Sequence, residues 1–327
     1  MKMIAYAVTD EERAFFEKYR EIYAVDLHMT AEKPSLSNTH LAQGMDVINV
    51  LSDVVITDEM YDAYKACGVK VAITRTIGAE HMNLPYAEKI GIQVANITYS
   101  PASVADYAIM MMLMVLRNIK PMMLRYQGQD YTAQGLRGRE LPNMTVGVIG
   151  TGHIGEVLIA HLQGFGCKVL VHSRTEKESL RELCRYVSLE ELLQESDIVS
   201  LHLPLNENTT HFINQETIGK MKSGAILINT GRGALVDSDA LIDALESGRL
   251  SGAGLDMVDG DRSIYYRDFK NKLVPNRAMA VLNAMPNVLM LPHMAYYTDQ
   301  ASEDMVRMGL ENARALLEGQ PCEFRLA

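Results

Sequence analysis

The chain has 327 residues, 48% apolar and 22% charged, a globular balance that excludes a disordered chain and suggests about two domains. Thirty-one Lys and Arg against 41 Asp and Glu give a net charge of −10, which argues against non-specific nucleic-acid binding through a basic surface. The longest fully apolar run, Ala108 to Leu116, falls well short of the roughly 20 residues of a membrane helix, and the first residues show no signal-peptide pattern. Cys67, Cys167, Cys184 and Cys322 are widely separated, so neither a disulfide framework nor a zinc site is expected, and a cytoplasmic location is.

In chain order, strand-like runs at 3–8, 47–51, 69–74 and 93–97 alternate with helical segments such as 10–19 and 59–66, the pattern of βαβ units and a parallel sheet. Thr98-Tyr-Ser-Pro101 breaks this series. Ser100 is the expected cap and Pro101 the expected start of a helix running to about Arg117. Residues 108–116 are apolar on all sides, which predicts a buried helix whose methionines serve the core or a subunit interface, with Pro121 marking its end. A second alternating series begins at Thr145, with strands expected at 145–149, 168–172, 197–201, 225–229, 252–256 and 288–291. These six suit a dinucleotide-binding domain. After Pro292 the chain turns helical again, and this short tail is expected to pack back onto the first domain.

Val146-Gly-Val-Ile-Gly150-Thr-Gly152-His-Ile-Gly155 follows an apolar strand and opens a helix, the context in which a GxGxxG string binds a dinucleotide. Gly150 permits the tight turn, Gly152 lets the pyrophosphate reach the backbone, and Gly155 lets helix and sheet pack closely. His153 and Ile154 lie in the same turn and offer their backbone; the His153 side chain is assigned no chemistry. Where an acidic residue would bind the adenosine ribose, the chain has Ser173-Arg174-Thr175. A hydroxyl and a guanidinium suit a 2′-phosphate, so NADP(H) is favoured, with NAD(H) possible.

Two further strand ends carry chemistry. Leu227-Ile-Asn-Thr230-Gly-Arg232-Gly presents one arginine in a small-residue loop, and Met290-Leu-Pro-His293-Met-Ala-Tyr296 presents a histidine. Between them, Asp256, Asp259 and Asp261 cluster after a third strand. With Tyr99-Ser-Pro-Ala-Ser-Val-Ala-Asp-Tyr107, the Gly150 turn and Gly164-Phe-Gly-Cys-Lys-Val169, these segments resemble the D-2-hydroxyacid dehydrogenase family over nearly the whole chain. The resemblance is strongest to the subgroup encoded in vancomycin-resistance gene clusters.

The resemblance implies an α/β fold of two doubly wound, Rossmann-like or flavodoxin-like parallel-sheet domains, with the active site in the cleft between them. Residues 1–100 completed by 296–327 would form the substrate domain and 101–295 the dinucleotide-binding domain, in a homodimer. It implies Arg232 as the carboxylate-binding arginine and His293 as the acid/base. The histidine's usual partner is Glu, and that position holds Asp261, one methylene shorter; Asp259 is a weaker substitute. Asp256 would contact the nicotinamide carboxamide, and His202-Leu203-Pro204 and Thr230 would line the cofactor side. Ile77 and Gly78 would offer backbone N–H groups to the substrate carboxylate, with Tyr99 and Tyr296 lining the pocket. The remaining histidines, His28, His40, His81, His161, His172 and His211, are read as structural or solvated. The implied activity is NAD(P)H-dependent reduction of a small 2-oxo acid to the (R)-2-hydroxy acid, pyruvate to D-lactate first. Longer or aromatic oxo acids such as 2-oxoisocaproate and phenylpyruvate come next, and a nucleotide-sensing corepressor is the alternative from another class. No nucleic-acid, membrane or metal partner is expected.

Overall fold

The computed structural model describes residues 1–51 and 54–327. The chain divides into two compact units, Met1–Ser100 with Tyr297–Ala327, and Pro101–Tyr296. The first unit contains β1 (Lys2–Ala5), α1 (Asp10–Ile22), β2 (Asp26–Met29), β3 (Val47–Val50), α2 (Asp58–Ala66), β4 (Val71–Thr74), α3 (Leu84–Ile90) and β5 (Gln93–Ala95). Its five strands are all parallel, in the order β2-β1-β3-β4-β5. Val-Ile-Asn-Val of β3 and Val-Ala-Ile-Thr of β4 are buried at every position, as parallel strands covered on both faces must be. Thr9 and Glu12 close a capping box that starts α1.

The second unit runs α4 (Ala102–Leu116), α5 (Ile119–Gln127), β6 (Thr145–Ile149), α6 (His153–Gln163), β7 (Lys168–His172), β8 (Arg185–Tyr186), α7 (Leu189–Glu195), β9 (Ile198–Leu201), α8 (Gln215–Lys220), β10 (Ala225–Asn229), α9 (Ser238–Glu246), β11 (Leu250–Leu255), α10 (Arg277–Ala284) and β12 (Val288–Met290). Its seven parallel strands lie in the order β12-β11-β10-β9-β6-β7-β8. Alternate residues of each strand serve opposite faces. Val146, Val148, Ile226 and Ile228 pack with α4 and α6, whereas Ile149, Leu170 and Leu227 pack with the helices of the other face. The strand order reverses between β6 and β9, the switch point at which open α/β sheets bind ligands. The last helix, α11 (Asp299–Leu317), returns to the first unit, where Glu303 meets Lys18 and Tyr19 of α1. The final residues bond to Val94 of β5 and to Asn96 just beyond it.

Several elements differ from the sequence reading. Helix α4 ends at Leu116 because Asn118 turns left-handed, φ 53°; Pro121 lies inside the first turn of α5, where its missing N–H has no helical acceptor to lose. Pro101 takes the cap position of α4 without a side-chain cap, and the Ser100 N–H instead donates to Asp304. Seven strands replace the six expected, and the first sheet gains β2. Both additions, β2 and β8, are short edge strands with exposed polar positions, so they carry no apolar run to announce them. Among the described residues no single helix is long and apolar enough to cross a membrane, and α4 is a core helix.

Candidate active site

The glycine turn sits at the switch point. Gly150 has φ +100°, and a Cβ there would fall 2.4 Å from the His202 carbonyl oxygen that follows β9. A Cβ on Gly155 would fall 2.1 Å from the Gly150 carbonyl oxygen, so this glycine sets how closely α6 meets the turn. Gly152 differs: a Cβ on it meets no atom within 4 Å, so the chain itself does not demand a bare residue there. The N–H groups of Gly152, His153, Ile154 and Gly155 donate to no acceptor among the described residues, and they stand at the positive end of an eleven-residue helix. Open space over free N–H groups fits a pyrophosphate.

At the end of β7 the Ser173 hydroxyl accepts a hydrogen bond from Thr151 at 2.8 Å. Arg174 and Thr175 are exposed, and Arg174 forms no hydrogen bond or ion pair among the described residues. Beyond β9, His202 pairs with Ser200 at 2.8 Å, and burial drops its pKa to about 4, which keeps it neutral. Leu203 packs against the Gly150 turn, and the Pro204 carbonyl accepts from Thr209. The Thr230 hydroxyl is buried without a partner among the described residues.

Asn229, fully buried at the end of β10, shapes the arginine loop: its Nδ2 donates to the Arg232 carbonyl at 2.8 Å and its Oδ1 accepts from the Gly231 N–H. A Cβ on Gly233 would fall 2.2 Å from the Val258 backbone, so this loop rests directly on the one after β11. That approach brings Arg232 into the field of Asp261. Asp261 is only 8% exposed and accepts the Val258 N–H at 3.0 Å. Burial raises its carboxyl to about 6; the Val258 N–H and Arg232 oppose the rise, and Asp259 and Asp256 add to it. Asp259 itself pairs with His211 at 3.2 Å.

His293 follows β12 in a left-handed conformation, φ 55°. Its N–H donates to the Asp256 carbonyl, and its own carbonyl accepts the Tyr266 hydroxyl at 2.8 Å. The imidazole packs beside the rings of Tyr266 and Tyr296, with centroids 5.6 and 5.7 Å away. Asp256 is fully buried; its carboxylate accepts the N–H groups of Met294 at 2.9 Å and Ala295 at 3.0 Å, with the Tyr107 hydroxyl against it. Burial raises its pKa and these donors lower it. The residue expected to face the nicotinamide therefore fastens the turn that carries His293. Asp256 links the group together, because it holds the histidine turn and its charge is felt by Asp261.

In the first unit, Ile77 and Gly78 follow β4. Their carbonyls accept from Asn96 and Thr76, both at 2.6 Å, and their N–H groups donate to no acceptor among the described residues. Tyr99 is half-buried after β5. Arg75, which the sequence reading passed over, is completely buried at the base of this loop. It bonds Glu12 at 3.1 Å, Asn49 Oδ1 at 2.9 Å and the Tyr6 carbonyl at 3.0 Å, over the ring of Phe16. An arginine directly after an apolar strand was its one visible signal. Tyr107, against Asp256, and Tyr266, on His293, were also missed, because their relevance depends on loop packing.

A glycine turn at the switch point of a seven-stranded parallel sheet, with an arginine and a histidine beyond neighbouring strands, defines a dinucleotide-dependent oxidoreductase. More narrowly, the chain belongs to the D-2-hydroxyacid dehydrogenase family: the model "D-isomer specific 2-hydroxyacid dehydrogenase, NAD binding domain" matches residues 109–295. A D-specific alpha-keto acid dehydrogenase of Enterococcus faecium is 42% identical over 94% of each chain. An aromatic 2-oxoacid reductase of Clostridium sporogenes is 37% identical over 95% of each. The crystal structure of a D-lactate dehydrogenase from Treponema pallidum superposes with a TM-score of 0.93 at 32% identity, covering 100% of both chains.

Proposed function

We propose that this enzyme reduces pyruvate to D-lactate, with NADPH preferred over NADH. The observation that carries the catalytic part is the convergence of Arg232, Asp261 and the His293 turn around Asp256. The nicotinamide, when bound, supplies hydride to C2 of the oxo acid. The Arg232 guanidinium pairs with the substrate carboxylate and polarises the adjacent carbonyl. His293, as imidazolium, donates its proton to the carbonyl oxygen and is left neutral; in the reverse direction it takes that proton back. Asp261 in its ionised form favours the imidazolium. The Ile77 and Gly78 N–H groups serve the substrate carboxylate, Tyr99 and Tyr296 bound the substrate, and Gly150 to Gly155, His202 to Pro204 and Thr230 serve the cofactor.

The NADPH preference rests on the exposed, unengaged Arg174 beside Ser173 and the lack of an acid at the end of β7. A second reading, an aromatic 2-oxo acid as substrate, is favoured by the Tyr266 and Tyr296 rings flanking His293 and by the Clostridium sporogenes relative. Steady-state kinetics with pyruvate, 2-oxoisocaproate and phenylpyruvate, each with NADPH and NADH, test both. Pyruvate with NADPH is expected to give the highest kcat/KM. A phenylpyruvate preference selects the second reading, and no turnover with any pair overturns the reaction class.

The same reading includes a homodimer. Helix α5 buries none of its residues and exposes Met122, Met123, Leu124 and Tyr126. Beside it, Ile109, Met110, Leu113, Met114 and Phe165 line an apolar groove. A second copy of the chain would cover this surface.

A further inference from the structure

The segment after Asp261 places two tyrosines side by side. Tyr266 is left-handed, φ 61°, an uncommon conformation for an aromatic residue, and its hydroxyl and ring both engage His293, itself left-handed. Tyr265 points elsewhere. Its N–H donates to the Asp261 carbonyl at 3.1 Å, and its hydroxyl is buried with no hydrogen-bond partner among the described residues. That hydroxyl lies in the electrostatic field of Asp261, Asp256 and Tyr107, and Asp261 lies in that of Arg232, Asp259 and Asp256. A buried hydroxyl without a partner carries a desolvation penalty, so packing alone would favour phenylalanine here. Asp261 is also a short acid for a partner of His293.

We propose that Tyr265 is a positioning residue for the reaction: its hydroxyl donates to the Asp261 carboxylate in the working enzyme and holds this short side chain in the orientation that supports His293, while Tyr266 holds the histidine's backbone and ring. The inference rests on the assignment of His293 and Asp261 given above. It predicts that the tyrosine matters because the acid is short.

The test is a cycle of Tyr265→Phe, Asp261→Glu and the double variant, each read by kcat and KM for pyruvate reduction, by the pH–rate profile and by melting temperature, with His293→Ala alongside. Tyr265→Phe is expected to lower kcat roughly tenfold, the scale of one charge-assisted hydrogen bond, with little change in KM. The acid limb of the profile should move to higher pH, because a carboxylate that loses a donor holds its proton more tightly. In the Asp261→Glu background the same change should alter kcat less than about twofold. An unchanged kcat and profile with a raised melting temperature would mark the hydroxyl as a packing defect and overturn the proposal. Equal losses in both backgrounds would also overturn it, since Tyr265 would then act independently of the acid. If His293→Ala retains turnover, the underlying assignment fails and the proposal with it; if His293→Ala is dead and Tyr265→Phe indifferent, this proposal alone fails.

Discussion

Asp261 is a carboxyl taken out of water beside two other acids, so ionising it in the folded protein costs free energy. Its pKa is raised from 3.8 to about 6. The folded chain then binds this proton more tightly than the unfolded chain, so the group's contribution to stability is full below about pH 4 and is lost as pH rises through about 6. Asp261→Asn keeps an acceptor for the Val258 N–H and never ionises. It is expected to be more stable than the parent at pH 8, on the order of 2–3 kcal/mol, and equal to it at pH 4, in urea titrations at both values. The same variant should reduce oxo acids more slowly, with the upper limb of its pH–rate profile moved down, because the imidazolium loses its counter-charge. His293→Ala should slow reduction by a factor on the order of 10² to 10⁴, the range for a lost general acid, in single-turnover assays. Arg232 and His293 stand out as candidates in the chain, since each is the one strongly functional side chain in a small-residue strand-end loop. Arg75 and Tyr265 do not: a buried arginine and an orphan hydroxyl look like any others until their surroundings are known.

The turn from β6 into α6 separates two reasons for a glycine. Gly155→Ala forces a Cβ onto the Gly150 carbonyl, so both melting temperature and cofactor affinity should fall. Gly152→Ala touches nothing within 4 Å and has an ordinary backbone, φ −66° and ψ −175°. It should melt with the parent yet lose at least tenfold in NADPH affinity by fluorescence titration, because only the pyrophosphate needs that space. In the first unit, Arg75→Met strands the buried Glu12 of the α1 capping box. A loss of roughly 3–5 kcal/mol is expected on chemical denaturation. The buried strands β6, β7 and β10 were read from sequence with the bounds they have, since each is a continuous apolar run. β2 and β8 could not be, because edge strands owe their existence to a neighbour's open hydrogen bonds rather than to their own composition.

For the whole molecule, a ligand that binds only the folded state raises its stability, and a second copy of the chain, if it covers α5, does the same. Saturating NADP+ should raise the melting temperature by several degrees and more than equal NAD+, and Arg174→Ala should abolish the difference. Light scattering should give twice the 36.4 kDa chain mass; a monomer at micromolar concentration would leave the exposed face of α5 to another partner. The alternation of strand and helix, the glycine turn and the candidate side chains for the reaction were all readable in the sequence, because local periodicity and residue chemistry express themselves without long-range information. Tertiary structure alone decided that the β10 loop rests on the β11 loop, that Asp256 fastens the His293 turn, and that Asp261 is buried in the field of Asp256 and Asp259 with the Tyr265 N–H on its carbonyl. Those contacts come from the order of strands in the sheet, which brings together loops far apart in the chain, and no window of sequence contains both sides of such a contact.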